Sequence, residues 1–262
     1  MERHFILDWD GTATESYNRA ETTSDFMFNL FSDRNGIPKE KLVELHQARK
    51  RDIRANEQNY PWIHRNHLAS YCEDPLIYNN SAFVEVLRPF RAQDTSSLWQ
   101  EVLLAYSQAY QSTSPVYVDR LPEIITYLKQ HGDITVVTNS DPQKVKQEAD
   151  ELSLEVEVIG YAKKYKITPK LTDIPDTMRA EDGREICLRR GAYFAILENF
   201  HPQSSFVIGD GFSCDLALPM ALEFNVVLVN DFWSMDWARS EVNTHPRGTT
   251  ISRLSDILEM DI

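Results

Sequence analysis

Two aspartates flank a tryptophan near the N-terminus, Asp8-Trp9-Asp10, and Gly11 and Thr12 follow at once. The apolar run Phe5 to Leu7 before them reads as a strand, so two carboxylates leave one strand end into a tight turn. Carboxylates held that close repel each other unless one is protonated or a cation sits between them. A hard divalent cation with oxygen ligands, Mg²⁺ by preference, is the simplest solution. Taken alone, Asp-x-Asp-Gly suits a capped surface turn better than a metal site. A second acidic strand end changes that balance: Phe206, Val207 and Ile208 run into Gly209-Asp210-Gly211, and Asp215 follows after one turn. Asp210 supplies a third carboxylate, and Asp215 suits either metal orientation or helix capping.

A third apolar run, Ile134 to Val137, ends in Thr138-Asn139-Ser140. The Thr138 hydroxyl can donate a hydrogen bond to a phosphoryl oxygen. Asp141 ahead of Pro142 already serves as the cap of the next helix, which relieves Thr138 of that duty.

Elements that bring these residues together follow from the pattern around them. Val156 to Ile159 and Val226 to Val229 add two more near-continuous apolar runs, as parallel strands covered by helices on both faces require. Helical patterns lie between the runs. One begins near Asp119 and places Leu121, Ile124, Ile125 and Leu128 on one face; another carries Val145, Ala149 and Leu152 inward; Ile251, Leu254, Ile257 and Leu258 suggest a closing amphipathic helix. The alternation predicts an α/β fold with a doubly wound parallel sheet, whose ligands bind beyond the carboxyl ends of the strands. Asp8, Thr138, Gly160 and Asp210 all emerge there.

Roughly a hundred residues after the first strand have little strand character and include helical stretches at Lys39 to Arg54 and Ser96 to Gln111. The expected organisation is a core of residues 1–14 and 116–262, a helical insertion over 15–115, and a small flap over 161–188. Asp182-Gly183 suits a tight hairpin turn within that flap.

In order and in element type, the motifs Asp8-Trp9-Asp10-Gly11-Thr12, Thr138-Asn139-Ser140 and Gly209-Asp210-Gly211 with Asp215 resemble those of the haloacid dehalogenase superfamily. The resemblance implies a Rossmann-like core with an inserted helical cap and a phosphohydrolase mechanism. Asp8 would be the nucleophile that forms an aspartyl-phosphate. Asp10 would act as general acid and then base, and its backbone carbonyl, with Asp8 and Asp210, would hold Mg²⁺. Gly11, Thr12, Thr138 and Asn139 would surround the phosphate, and Asp215 would support the metal. Family members that cleave carbon–halogen bonds lack the second aspartate, so Asp10 favours phosphoryl transfer.

The family also uses a lysine, usually followed by proline, near the start of the helix before the last acidic strand. This chain has Arg189-Arg190-Gly191 there, so Arg190 is expected to face the phosphate, with Arg189 as second choice and Lys163 or Lys164 as further candidates. An arginine differs from lysine in reach and hydration. The implied activity is a phosphatase acting on a small phosphorylated metabolite. The same aspartates would serve a phosphotransferase or mutase, and the missing lysine also suits a binding protein that has lost catalysis.

Composition agrees with a folded chain. Of 262 residues, 42% are hydrophobic and 11% aromatic, enough for a sizeable core, and no stretch is long or apolar enough to span a bilayer. The net charge of −13 disfavours nucleic acid and anionic membranes as partners. A small anionic substrate remains compatible, because salt confines the global field to about 10 Å. The first residues run straight into the strand at Phe5, with no room for a secretion signal, so the expected location is cytoplasmic. Cys72, Cys187 and Cys214 match no metal-ligand spacing and no disulfide framework.

Overall fold

A computed structural model describes residues 3–56, 63–64, 67–68, 73–91, 95–171, 174–229 and 235–260. Cys72 lies outside them. The chain divides into two compact units. The first comprises Met1–Glu15, Ile63–Ala69 and Tyr117–Ile262, and the second comprises Ser16–Trp62 and Ser70–Val116.

The strands in chain order are β1 (Arg3–Leu7), β2 (Ile63–His64), β3 (His67–Leu68), β4 (Gly132–Val137), β5 (Glu157–Ile159), β6 (Thr177–Arg179), β7 (Glu185–Cys187), β8 (Ser205–Gly209), β9 (Asn225–Val229) and β10 (Gly248–Ile251). Six of them form one sheet in the order β10-β9-β8-β1-β4-β5, with every neighbouring pair parallel. The order reverses direction at β1, which places a crevice beyond its carboxyl end. The register Leu7↔Val136 and Leu7↔Ile208 brings the ends of β1, β4 and β8 side by side.

Both faces of this sheet are buried, which is why its strands read as near-continuous apolar runs. Phe5 and Leu7 point into one layer and Ile6 into the other, following the two-residue period of a strand. The four helices α1 (Ser16–Asn35), α2 (Lys39–Ala55), α3 (Pro75–Leu87) and α4 (Thr95–Ser112) belong to the second unit. The first unit contains α5 (Leu121–His131), α6 (Pro142–Glu151), α7 (Gly191–Leu197), α8 (Ala217–Ala221) and α9 (Asp236–Thr244). Leu121, Ile124, Ile125 and Leu128 of α5 are all buried in the layer with Phe5 and Leu7. Each fully buried side chain of this size contributes about 1.5–3 kcal/mol before entropy is counted. Asp141 caps α6, its carboxylate accepting from Gln143 N at 2.8 Å, with Pro142 at the first helical position.

Strands β6 and β7 pair antiparallel as the expected hairpin, with Gly183 at φ 88° in its turn. In β2 and β3 His64 pairs with His67, and Leu68 N donates to Tyr165 O at 2.6 Å. The second unit packs its own core, including Met27, Phe28 and Phe31 of α1 against Phe83 and Leu87 of α3 and Leu98 and Val102 of α4.

The closing helix expected from Ile251 onward is corrected. Ile251 ends β10, a strand parallel to β9, because β-branched Thr249, Thr250 and Ile251 fit a pleated edge. The Asp256 carboxylate then accepts from the backbone of Ser252 and Arg253, both at 3.0 Å, and starts a short 3₁₀ turn over Leu254–Glu259.

Candidate active site

Alternation beyond β1 separates the first motif. Asp8 and Asp10 turn toward the strand ends, while Trp9, fully buried, turns into the helical layer, where its indole N–H donates to Glu148 Oε2 of α6 at 2.8 Å. The next residue must reverse the chain under an incoming side chain. Gly11 has φ 98°, and a Cβ there would stand 2.1 Å from Asp210 Oδ2, so only glycine fits. Thr12 Oγ1 lies 3.3 Å from Asp8 Oδ2 and 3.2 Å from Asp210 Oδ1, joining the two acidic strand ends.

Beyond β8 the chain makes one wide π turn, Phe212–Leu216. Asp215 in that turn folds back over the strand end. Its Oδ2 accepts from Gly211 N at 3.0 Å, and a Cβ on Gly209 would stand 2.6 Å from the Asp215 Cβ. Oxygens of Asp8, Asp210 and Asp215 all lie within 4.8 Å of one another.

Lys164 reaches this cluster from the loop after β5. Its Nζ stands 2.6 Å from Asp8 Oδ1 and 2.8 Å from Asp215 Oδ1, and the side chain is almost wholly buried. Burial pulls the ammonium down, but Asp215 and Asp8 overcome that pull and hold it well above the ordinary lysine value. It is therefore charged. Burial pushes the Asp8 carboxyl up to about 7, with Asp215 and Asp10 adding to the shift and Lys164 opposing it. Three carboxylates against one ammonium leave an excess of negative charge that a divalent cation balances, and the donors are all hard oxygens. The donor set thus fits Mg²⁺.

The Asp10 carboxylate is not part of that cluster. Its Oδ2 accepts from Ser140 Oγ at 2.5 Å and lies 3.4 Å from Thr138 Oγ1. The Thr138 hydroxyl, buried, also accepts from Ser140 N at 3.1 Å. Asn139 turns the other way: its Oδ1 accepts from Lys164 N at 2.8 Å and so anchors the lysine loop.

The expected place of Arg190 is corrected. It is fully buried, and its Nη1 donates to the carbonyl oxygens of Ser213 and Cys214, not to Asp8. The cation beside Asp8 is Lys164. Arg189 makes no ion pair with Asp8 either, among the described residues; its backbone carbonyl accepts from Thr168 N at 2.8 Å. The physical reason is direction. The backbone before α7 turns Arg190 inward beneath the π turn, whereas the loop after β5 ends beside Asp8. The signal for Lys164 in the sequence is its position in the loop just past the carboxyl end of β5, on the side of the sheet where the crevice opens. Ser140 is legible only as the residue two past Thr138, since a serine there carries no periodic signal. Cys187 is buried and Cys214 half-buried.

No family model matches this sequence, and no curated protein matches it at a significant level. Solved structures match over the whole chain. YfnB of Bacillus subtilis, assigned as a HAD-hydrolase and bound to magnesium, aligns with a TM-score of 0.59 at 15% identity over 100% of this chain and 99% of that one. A predicted phosphoglycolate phosphatase from Haemophilus somnus aligns with a TM-score of 0.56 at 15% identity over 98% and 97%. The defluorinating L-2-haloacid dehalogenase Rha0230 aligns with a TM-score of 0.50 at 13% identity over 98% and 94%. The chain has the haloacid dehalogenase-like fold. That fold carries both a phosphatase and a dehalogenase among these neighbours, so the chemistry has to be argued from the site.

Proposed function

We propose that this protein is a Mg²⁺-dependent phosphohydrolase of the haloacid dehalogenase superfamily, acting on a small phosphorylated metabolite through an aspartyl-phosphate on Asp8. The observation that carries the reading is the separation of the carboxylates. Asp8, Asp210 and Asp215 gather within 4.8 Å, while Asp10, two residues from Asp8, is held apart by Ser140 at 2.5 Å. A dehalogenase has no use for an acid beside its nucleophile, because halide leaves without a proton. An alkoxide leaving from phosphorus needs one.

Asp8, Asp210 and Asp215 would hold the cation, which when bound neutralises charge on the transferring phosphoryl group. Asp8 attacks phosphorus through a carboxylate oxygen, and the ester oxygen departs with a proton from Asp10. Asp10 then takes a proton from the water that hydrolyses the aspartyl-phosphate, and phosphate leaves. Lys164 holds Asp8 in place and offers a fixed positive charge to the phosphoryl oxygens. Thr12 and Thr138 supply hydroxyl donors at the same strand ends. The second unit, made of α1 to α4, would act as the cap that selects the metabolite. The reading as a binding protein without catalysis rests on a missing lysine, and Lys164 at 2.6 Å from Asp8 supports the catalytic reading instead.

Incubation with p-nitrophenyl phosphate and Mg²⁺ tests the reading. Release of nitrophenol that stops on chelation is expected. Halide release from a 2-haloalkanoate, with no phosphate release from the ester, would overturn it.

A further inference from the structure

Arg190 is a fully buried guanidinium with no carboxylate partner among the described residues, so the hydrogen bonds of its Nη1 are what offset the cost of burying its charge. Its Nη1 donates to the carbonyl oxygens of Ser213 and of Cys214, the latter at 2.9 Å. Three residues on, the hydroxyl of Tyr193, also fully buried, donates to the carbonyl oxygen of Asp215 at 2.9 Å. The start of α7 thus takes three successive carbonyls of the π turn. A π turn leaves its carbonyls poorly matched to the helix that follows, so outside donors decide its shape.

Asp215 is the residue those carbonyls lead to. Its side chain is fixed at two points, by Lys164 Nζ on Oδ1 at 2.8 Å and by Gly211 N on Oδ2 at 3.0 Å. Tyr193 touches both partners of the ion pair: its hydroxyl holds the Asp215 backbone, and its ring centre lies 5.7 Å from Lys164 Nζ, within range of a cation–π contact.

We infer that Arg190 and Tyr193 are positioning residues, which hold the Phe212–Leu216 turn by its carbonyls so that Asp215 sets Lys164 against Asp8. For its catalytic consequence this rests on the phosphohydrolase reading; the clamp itself does not. The residue expected to face the phosphate therefore acts one step removed, through backbone and carboxylate.

The direct measurement is the hydrogen exchange of the Lys164 ammonium, followed by its ¹⁵N-lysine resonance in metal-free protein and assigned by its loss in Lys164→Met. Tyr193→Phe removes only a hydroxyl and should raise the exchange rate about tenfold, the factor that one ordinary hydrogen bond supplies. Arg190→Met should raise it further. Leu197→Ala, a cavity in the same layer that removes no donor to the turn's carbonyls, should lower the thermal midpoint while leaving Lys164 exchange near wild type. The clamp is overturned if Tyr193→Phe exchanges like wild type, or if Leu197→Ala raises exchange as much as Tyr193→Phe does. Should Arg190→Met fail to fold, Tyr193→Phe alone decides. Turnover of p-nitrophenyl phosphate with Mg²⁺ is recorded on the same samples. A wild type without turnover then refutes the phosphohydrolase reading, while the exchange rates still decide the clamp.

Discussion

Lys164 Nζ stands 2.6 Å from Asp8 Oδ1, a buried ion pair that joins the loop after β5 to the end of β1 across the intervening strand β4. The ammonium also meets Asp215 at 2.8 Å, so one cation restrains two carboxylates whose mutual repulsion would otherwise spread the site.

Lys164→Met should cut turnover by about 10²-fold or more, the order seen when a transition-state donor is lost. Lys163, exposed one residue earlier on the same loop, should tolerate Lys163→Ala with near wild-type rates. Steady-state kinetics on the two variants checks this. Equal losses would assign the effect to the loop and not to the ion pair.

Gly11→Ala should cost at least about 1 kcal/mol of stability and most of the activity, since alanine is strained at φ 98° and its methyl would displace Asp210. Gly36 gives the contrast. It has φ 63° with nothing within 4 Å of an added Cβ, so Gly36→Ala should lower stability by a comparable backbone term and leave turnover alone. Urea denaturation and kinetics together separate strain from collision.

The metal reading has its own test. Chelation should stop turnover, and Mg²⁺ at about a hundred times its Kd should stabilise the protein by about 2.7 kcal/mol. The corresponding rise in thermal midpoint should vanish in Asp210→Asn. Turnover that survives exhaustive chelation would contradict a role for the cation.

His46 predicts a pH dependence in the second unit. It is buried against Phe28 and Phe83, and its Nε2–H donates to the Asn79 carbonyl at 3.1 Å, which leaves Nδ1 to take up a proton with no hydrogen-bond partner. Burial, helped by Lys50 and opposed by the Asn79 hydrogen bond, lowers its pKa to about 3. The unfolded chain binds this proton near the ordinary value of 6.5 and the folded chain does not. Stability from this group is therefore full above that value and is lost as pH falls toward 3, by up to about 1.4 kcal/mol per pH unit. Denaturation curves between these limits should flatten in His46→Gln relative to wild type.

Asp8 and Asp210 were legible, with Thr138, because each follows a continuous apolar run, and the physics of a parallel sheet fixes where such ends meet. Asp8, Thr138 and Asp210 need no more than that. Lys164 was harder to see. It follows left-handed Tyr161 and Lys163, at φ 50° and 51°, in a loop with no period, so its direction depends on backbone reversals that neither residue type announces. Arg190 misled because its place before a helix matches a family pattern, while the fold turns its side chain under the π turn. The helices Lys39–Ala55 and Thr95–Ser112 lie within a residue of their expected limits, since leucine and alanine recur there at helical spacing. In β10 four residues with two threonines gave a weaker strand signal than the helix-like spacing of Ile251, Leu254 and Ile257.

The central claim is a covalent phosphate on Asp8, and intact-mass and peptide analysis of acid-quenched Asp10→Asn with p-nitrophenyl phosphate and Mg²⁺ tests it most directly. Without Asp10 to activate water, the aspartyl-phosphate should persist. The account predicts the added mass of one phosphoryl group on the peptide containing Asp8, and none in the Asp8→Asn, Asp10→Asn double variant. A wild type that turns over while Asp10→Asn carries no phosphate, or carries it on a peptide lacking Asp8, would contradict the account.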